Sequence, residues 1–304
     1  MKLTLLYRGP LASCNYACTY CPFAKKEDDR AALEADREAL ERFCDWVEQQ
    51  RAHRLTLFFT PWGEALIRPW YRQAIARLGR VESVDKIIVQ TNLSAPVGWV
   101  ETCSVNKLRI WATYHPGECR RERFVEACKL LAAKGVRVSV GVVGLDANRS
   151  EIAALRRELP RDIYLWINAW NDDPGQYDDD AMRWYAEIDP LFSVTCRTHE
   201  SMGRACHAGH TVLSVSGDGM LRRCHFIPAP IGNLYEDGFE RTLHPSPCTN
   251  NRCDCYIGYV HMPHLGLEHI YGAGLLERIP ARSGWHAAGM APSVNGSIKT
   301  HVKT

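Results

Sequence analysis

Between position 2 and about Asn168, short runs of β-branched and aromatic residues alternate with longer stretches whose apolar positions recur at three- and four-residue intervals. The short runs predict strands at Lys2–Tyr7, Leu55–Thr60, Lys86–Thr91, Leu108–Thr113, Val136–Val143 and Ile163–Ile167. The intervening pattern predicts helices over Ala35–Gln50, Pro69–Gly79, Arg121–Ala133 and Ser150–Glu158, with Gly135 as a helix stop. In the first helix Leu40, Phe43, Cys44 and Val47 share one stripe, and in the third Phe124, Cys128 and Leu131 do. Strand and helix in alternation argue for parallel βαβ units and an α/β fold. Ligands in such folds collect at the carboxyl ends of the strands.

After Asn171 the pattern changes. Asp172-Asp173 is followed by Asp178-Asp179-Asp180, which opens a helical segment running to about Ile188. Acidic residues at a helix start cap it and complement its dipole, so no metal site is needed to explain them. From Cys196 to Tyr256 cysteines recur among short strands and turns, in the manner of a separate small module. The expected division is residues 1–190 as the barrel-like domain, 191–283 as the module, and 284–304 as a polar, small-residue tail without fixed structure.

At 304 residues the chain can hold one large α/β domain and a small appendage. Formal net charge is +2, from 37 basic and 35 acidic residues, which gives no electrostatic footprint for nucleic acid. Met1–Tyr7 is too short for a signal-peptide core or a membrane span, so a cytoplasmic protein with no membrane partner is expected. Thirteen cysteines in such a chain read as metal ligands plus buried thiols. Cys44 and Cys128, on apolar stripes, belong to the second group.

The informative cysteines are Cys14, Cys18 and Cys21, spaced C-x3-C-x2-C in one loop directly after the first strand. Three soft ligands held this closely suit an iron-sulfur cluster. A four-iron cubane takes one ligand per iron, so a loop offering three leaves one iron open to a ligand that is not protein. Zinc in structural sites prefers four protein ligands. Nothing near Cys21 supplies the fourth, and no His lies between Met1 and Arg51. Three cysteines also cannot pair internally as disulfides.

This spacing, with Tyr20 before the third cysteine, resembles the signature of the radical SAM superfamily. The resemblance implies a partial (β/α)6 barrel and a [4Fe-4S] cluster whose open iron chelates the amine and carboxylate of S-adenosyl-L-methionine. One electron through the cluster then cleaves the sulfonium, and a 5'-deoxyadenosyl radical abstracts a substrate hydrogen. Thr60-Pro61-Trp62-Gly63-Glu64 stands where the superfamily has Gly-Gly-Glu, with Trp62 in place of the first glycine. Gly63 permits close backbone approach to a ligand, and Glu64 can accept hydrogen bonds from an ammonium. A plain strand-to-helix turn is the other reading of the same residues.

Further positions just beyond strand ends become candidates under the resemblance. Asn92 and Thr113 are placed to meet ribose hydroxyls. Arg149 is either a partner for the methionyl carboxylate or a solvated surface arginine. His115, in Tyr114-His115-Pro116, is either an acid or base near neutral pH or an ordinary loop residue. Asn168-Ala169-Trp170-Asn171 offers an aromatic wall for substrate, and Cys119 a weaker candidate for hydrogen donation.

A second constellation begins at Cys206, with Gly219 after twelve intervening residues and Cys224 after four more. Thr211–Ser216 and Met220–Arg222 flank the turn Ser216-Gly217-Asp218-Gly219, a β-hairpin that brings Cys206 and Cys224 together. Cys248, Cys253 and Cys255 supply further thiols. The C-x12-G-x4-C pattern, followed by Ile231-Gly232-Asn233-Leu234, resembles the start of SPASM and twitch modules. It implies one auxiliary [4Fe-4S] cluster, since a full SPASM module needs more cysteines. The single residue between Cys253 and Cys255 departs from the family's spacing. Five cysteines thus compete for four places, with His207 and His225 as outside candidates, and a structural zinc ribbon remains the alternative.

From the first strand through Cys255 the chain resembles a bacterial radical SAM subfamily, which names a mechanism class and no substrate. The implied function is reductive cleavage of S-adenosylmethionine and hydrogen abstraction from a peptide, a protein side chain or a small molecule. The auxiliary cluster would assist oxidation or binding, and a reducing electron-transfer protein is the implied partner. The rivals are a non-catalytic iron-sulfur electron carrier and a zinc-stabilised binding protein. Gly63-Glu64 favours the enzyme, because a carrier needs no amine-binding turn beside its cluster.

Overall fold

The computed structural model describes residues 1–23, 26–170 and 177–281. Six strands follow one another in register as a parallel sheet: β1 (Lys2–Arg8), β2 (Arg54–Phe59), β3 (Val84–Thr91), β4 (Leu108–Tyr114), β5 (Arg137–Val143) and β6 (Tyr164–Asn168). Helices α1 (Arg30–Gln49), α2 (Pro69–Leu78), α3 (Arg121–Ala133) and α4 (Arg149–Glu158) connect them, with a 3-10 turn at Val97–Thr102 between β3 and β4. The six strands and four helices expected from the hydrophobic pattern are all present, and the mixed α/β architecture matches a partial barrel.

Boundaries differ where capping, rather than burial, decides them. Helix α1 starts at Arg30 because the Asp29 side chain accepts the Ala32 N–H at 2.8 Å. Residues 30–35 are mostly exposed and carry no apolar rhythm, so the pattern alone starts the helix at Ala35. Beyond α3, Gly135 has φ +81°, a left-handed stop that costs glycine little. Cys44 and Cys128 are buried in the core.

Downstream lie α5 (Asp179–Ile188), α6 (Phe192–Thr195), β7 (His199–Glu200), β8 (Val212–Ser216), β9 (Met220–Arg222), β10 (Pro230–Asn233), β11 (Arg252–Cys253), α7 (Tyr256–Tyr259) and α8 (Leu267–Tyr271). Asp178 caps α5 by accepting the Ala181 N–H at 2.8 Å, as the acidic run suggests. The β8–β9 hairpin is continuous with the barrel sheet: β8 pairs parallel to β1, and β9 and β10 extend the edge antiparallel. Among the described residues this gives a nine-stranded sheet ordered β10-β9-β8-β1-β2-β3-β4-β5-β6. Asn171, Asp172-Asp173 and the tail from Gly284 lie outside the described residues.

Both faces of the sheet are buried, which explains why the strands read as apolar runs without strict alternation. Leu3, Leu5 and Tyr7 pack with Phe43 and Val47 of α1 on one face. Leu6, Phe58, Trp111 and Trp166 pack with Tyr256, Tyr259 and Met262 on the other. The segment from Tyr256 to Leu276 therefore covers the inner face, a role the hydrophobic pattern does not announce.

Candidate active site and cysteine centres

The loop after β1 is tied down before its first cysteine. Asp36, 1% exposed on the otherwise apolar stripe of α1, accepts the Leu11 N–H at 3.1 Å, Trp70 Nε1–H at 2.8 Å and Tyr71 O–H at 3.0 Å. Asp28 Oδ2 accepts the N–H groups of Ala12 and Ser13 and the Ser13 hydroxyl, each at 2.8 Å. Partial burial pushes the Asp28 carboxyl up, but the bonds from Ser13 and Ala12 outweigh it and hold it below the usual range. Arg68 Nη2 donates to Ser13 Oγ at 2.8 Å. None of Asp28, Asp36 and Arg68 stood out in the sequence; the one available signal was a carboxylate in phase with Leu40, Phe43 and Val47.

The turn after β2 closes onto this loop. The Gly63 N–H donates to the Leu11 carbonyl at 3.2 Å and the Glu64 N–H to the Ser13 carbonyl at 3.1 Å. Close approach at Gly63 is thus to the cysteine loop. Glu64, 4% exposed, accepts from Thr91 Oγ1 at 2.8 Å, the Leu66 N–H at 2.9 Å and the Asn92 N–H at 2.6 Å. A carboxylate has about four acceptor sites, so about one remains for an incoming ammonium. Asn92 Nδ2 reaches Cys14 Sγ at 3.7 Å and Asn15 Oδ1 at 3.1 Å.

Cys14, Cys18, Tyr20, Cys21, Gly63, Glu64, Asn92, Thr113 and His115 all line one cavity of about 780 Å³ at the carboxyl ends of the strands, within the ~300–1,000 Å³ range of ligand sites. The Tyr16 N–H points to Cys14 Sγ at 3.5 Å, and His115 Nδ1 lies 3.3 Å from Cys18 Sγ and 2.9 Å from Tyr20 Oη. Burial pushes the Cys14 thiol up and the Cys18 thiol to about 11, so thiolates here call for a positive centre. Iron would supply it, and the Tyr16 N–H and Asn92 Nδ2 would bond the Cys14 sulfur, so this donor set fits a cluster. Burial also lowers His115 to about 4, leaving the imidazole neutral near pH 7.

Arg149 is not among the residues lining the cavity. It opens α4, pairs with Asp146 at 2.9 Å and lies 5.5 Å over the Trp184 ring. Its helix-start position turns it to this neighbour set, so the geometry supports the surface-arginine reading.

In the second group, Cys206 feels the charge of Cys248, Cys224 that of Cys248 and Cys206, and Cys253 that of Cys224, Cys255, Cys206 and Cys248. Burial is the first cause raising the thiols of Cys206, Cys224 and Cys253. A Cβ on Gly258 would lie 2.7 Å from Cys253 Sγ, so this glycine leaves room beside the sulfur. Cys255, whose charge Cys253 feels, also lines the large cavity and feels Arg278 and Arg8. His207 reaches Glu268 at 3.2 Å, and His225 Nδ1 meets Ser214 Oγ at 2.6 Å. All thirteen cysteines are free of disulfides. Among the described residues no group of three or more His, Cys, Asp or Glu side chains converges as a single metal ion requires, and no helix is long and apolar enough to cross a membrane.

No family model and no curated sequence matches the chain. Solved structures do. The chain is 16% identical to anSMEcpe with bound AdoMet (S-adenosylmethionine), covering 80% of each chain at TM-score 0.54. It is 14% identical to Streptococcus suis SuiB bound to S-adenosylmethionine, covering 79% of this chain and 65% of SuiB at TM-score 0.55. Against native anSMEcpe with AdoMet and the Cp18Cys peptide the identity is 16%, over 79% and 82% of the chains, at TM-score 0.51. At such identities the likeness is one of fold: the chain has the partial-barrel fold of the radical SAM enzymes.

Proposed function

We propose that the protein is a radical SAM enzyme acting on a peptide or small-molecule substrate, with electrons from a reducing partner protein. The observation that carries this reading is that Cys14, Cys18 and Cys21 line the same strand-end cavity, with the Tyr16 N–H and Asn92 Nδ2 aimed at Cys14 Sγ. A [4Fe-4S] cluster held by these thiols would supply the electron that cleaves S-adenosylmethionine to a 5'-deoxyadenosyl radical. The chain's own residues then bind and orient. Asp28, Asp36 and Arg68 fix the loop, Glu64 offers its remaining acceptor site to the methionyl ammonium, and Asn92 and Thr113 face the nucleoside. Tyr20 lies 2.9 Å from His115, which burial keeps neutral near pH 7, so the proposed role of His115 is that of proton acceptor rather than acid.

Cys206, Cys224, Cys248 and Cys253 are proposed to hold an auxiliary [4Fe-4S] cluster, with Cys255 left facing the cavity. The charge that Cys206, Cys224 and Cys253 feel from Cys248 supports these four; Cys253 feels Cys255 too, and what sets Cys255 apart is its place on the cavity wall with Arg8 and Arg278. The exposed rings of Phe23, Trp62 and Phe226 at the cavity suit an apolar or peptide substrate, and anSMEcpe has been solved with a peptide beside AdoMet.

The test is iron and zinc content of anaerobically reconstituted protein, together with 5'-deoxyadenosine release after chemical reduction. About eight irons per chain, as two four-iron clusters give, with nucleoside release abolished in Cys14→Ala, Cys18→Ala and Cys21→Ala, is the expected result. Zinc, or iron without cleavage, would remove the enzyme reading in favour of a binding protein or an electron carrier.

A further inference from the structure

Arg278 is a buried arginine that makes no ion pair among the described residues, although Asp189 and Cys255 feel its charge. It is 2% exposed, and its guanidinium lies over three rings, 3.7 Å from the Tyr256 centroid, 4.0 Å from Trp166 and 5.1 Å from Trp111. Among the described residues no hydrogen bond or ion pair reaches it, and its Nε is buried without a partner. The acidic groups nearby are engaged elsewhere. Glu277 takes Lys86 at 3.0 Å and Arg109 at 3.9 Å. Asp189 accepts from Tyr164 O–H at 2.5 Å and from the N–H groups of Ile167 and Leu191 at 2.8 and 3.0 Å.

The same cavity wall, which also carries the exposed carboxylate of Asp254 next to Cys255, holds several buried polar atoms without partners. Arg8, at the carboxyl end of β1, stacks on Trp62 at 3.8 Å and leaves its Nε buried and unpartnered. Trp111 Nε1, Trp166 Nε1 and His225 Nε2 are likewise buried without partners, and all five side chains line the cavity. Cys255, on the same lining, feels both Arg278 and Arg8, so the two arginines approach one stretch of wall. Ring faces soften an arginine's desolvation but accept no hydrogen bond of full strength. Buried guanidinium groups are completed by planar oxyanions, which match their fork of donors.

We propose that the wall between Arg8 and Arg278 is a subsite for an oxyanion of the substrate, a carboxylate or a phosphate. This rests on the enzyme reading above and narrows its substrate to molecules carrying such a group. Cation–π contact holds the Arg278 guanidinium in place before the anion arrives, so the subsite positions the substrate at the inner-face end of the cavity.

The test is a thermal-shift titration of the reconstituted full chain at constant ionic strength with sodium phosphate, sodium acetate and neutral acetamide. A saturable rise with phosphate alone identifies a phosphate subsite and one with acetate alone a carboxylate subsite, while acetamide gives none. Arg278→Gln raises the half-saturating concentration by roughly tenfold or more, and Arg278→Lys restores part of the affinity. Arg8→Gln gives a second reading should Arg278→Gln fail to fold. The proposal is overturned if neither anion saturates, if the variants bind like wild type, or if binding appears only in Cys255→Ser, which would make the thiolate the resident anion. It is also overturned if Arg278→Gln weakens S-adenosylmethionine binding while neither anion binds. Failure of the enzyme reading shows separately, as absence of 5'-deoxyadenosine release with the anion titration intact.

Discussion

A Cβ placed on Gly63 would lie 1.9 Å from the carbonyl oxygen of Ser13, so the turn after β2 and the cysteine loop after β1 meet backbone to backbone. Real Cβ atoms do not tolerate such contacts, and backbone cannot step aside as a side-chain tip can. Gly63→Ala is expected to cost roughly 1–3 kcal/mol and to lower iron retention by displacing Cys14. Denaturant unfolding and iron content together check this; both unchanged would show that the loop yields freely.

Asp28 makes loop stability depend on pH. Partial burial raises its carboxyl, the hydrogen bonds from Ser13 and Ala12 outweigh that, and the folded value ends below the ordinary one. A depressed carboxylate stabilises the fold above its unfolded value of about 3.9 and loses that contribution as pH falls through the folded value. Asp28→Asn is expected to destabilise the unreconstituted chain by roughly 1–2 kcal/mol near neutral pH. The gap from wild type should close below about pH 4. A gap that persists in acid would place the effect elsewhere.

The choice of four thiols has a count attached. Ala at Cys206, Cys224, Cys248 or Cys253 should lower iron from about eight to about four per chain and spare 5'-deoxyadenosine release in part. Cys255→Ser should keep about eight. Iron loss in Cys255→Ser comparable to the others would return Cys255 to the ligand set.

Gly141 in β5 faces Trp166 across the β5–β6 pair: an added Cβ would sit 1.9 Å from its Cζ2. Trp166 meets Trp111 edge-on at 5.2 Å and stacks with Arg278. Gly141→Ala should therefore cost roughly 1–3 kcal/mol and alter the near-ultraviolet dichroism of the tryptophans, read by denaturant melts and spectra on the same samples.

The strands were legible because each is buried on both faces, as Leu57, Phe58 and Phe59 show at 0% exposure, and such burial leaves an unbroken apolar run. The first cysteine centre was legible for a different reason. Cys14, Cys18 and Cys21 are neighbours in the chain, so spacing alone brings their sulfurs into one loop. Helix starts were blurred where Asp29, rather than an apolar stripe, sets the boundary.

Partners far apart in sequence were not legible. Asp36 looks like a fault in an apolar stripe until Leu11, Trp70 and Tyr71 arrive from other segments to donate to it. Arg149 and Arg278 are the same residue type, yet one pairs with Asp146 outside the cavity and the other lies among three rings within it. Nothing local distinguishes them. The amino-acid order by itself determined the alternation of elements and the local cysteine loop, because periodicity and short spacing act over a few residues. Only the tertiary structure decided that β8 joins β1, that Tyr256–Leu276 covers the inner face, and that Cys255 faces the cavity. Those outcomes depend on which buried surfaces and unpaired donors meet once the chain has closed on itself.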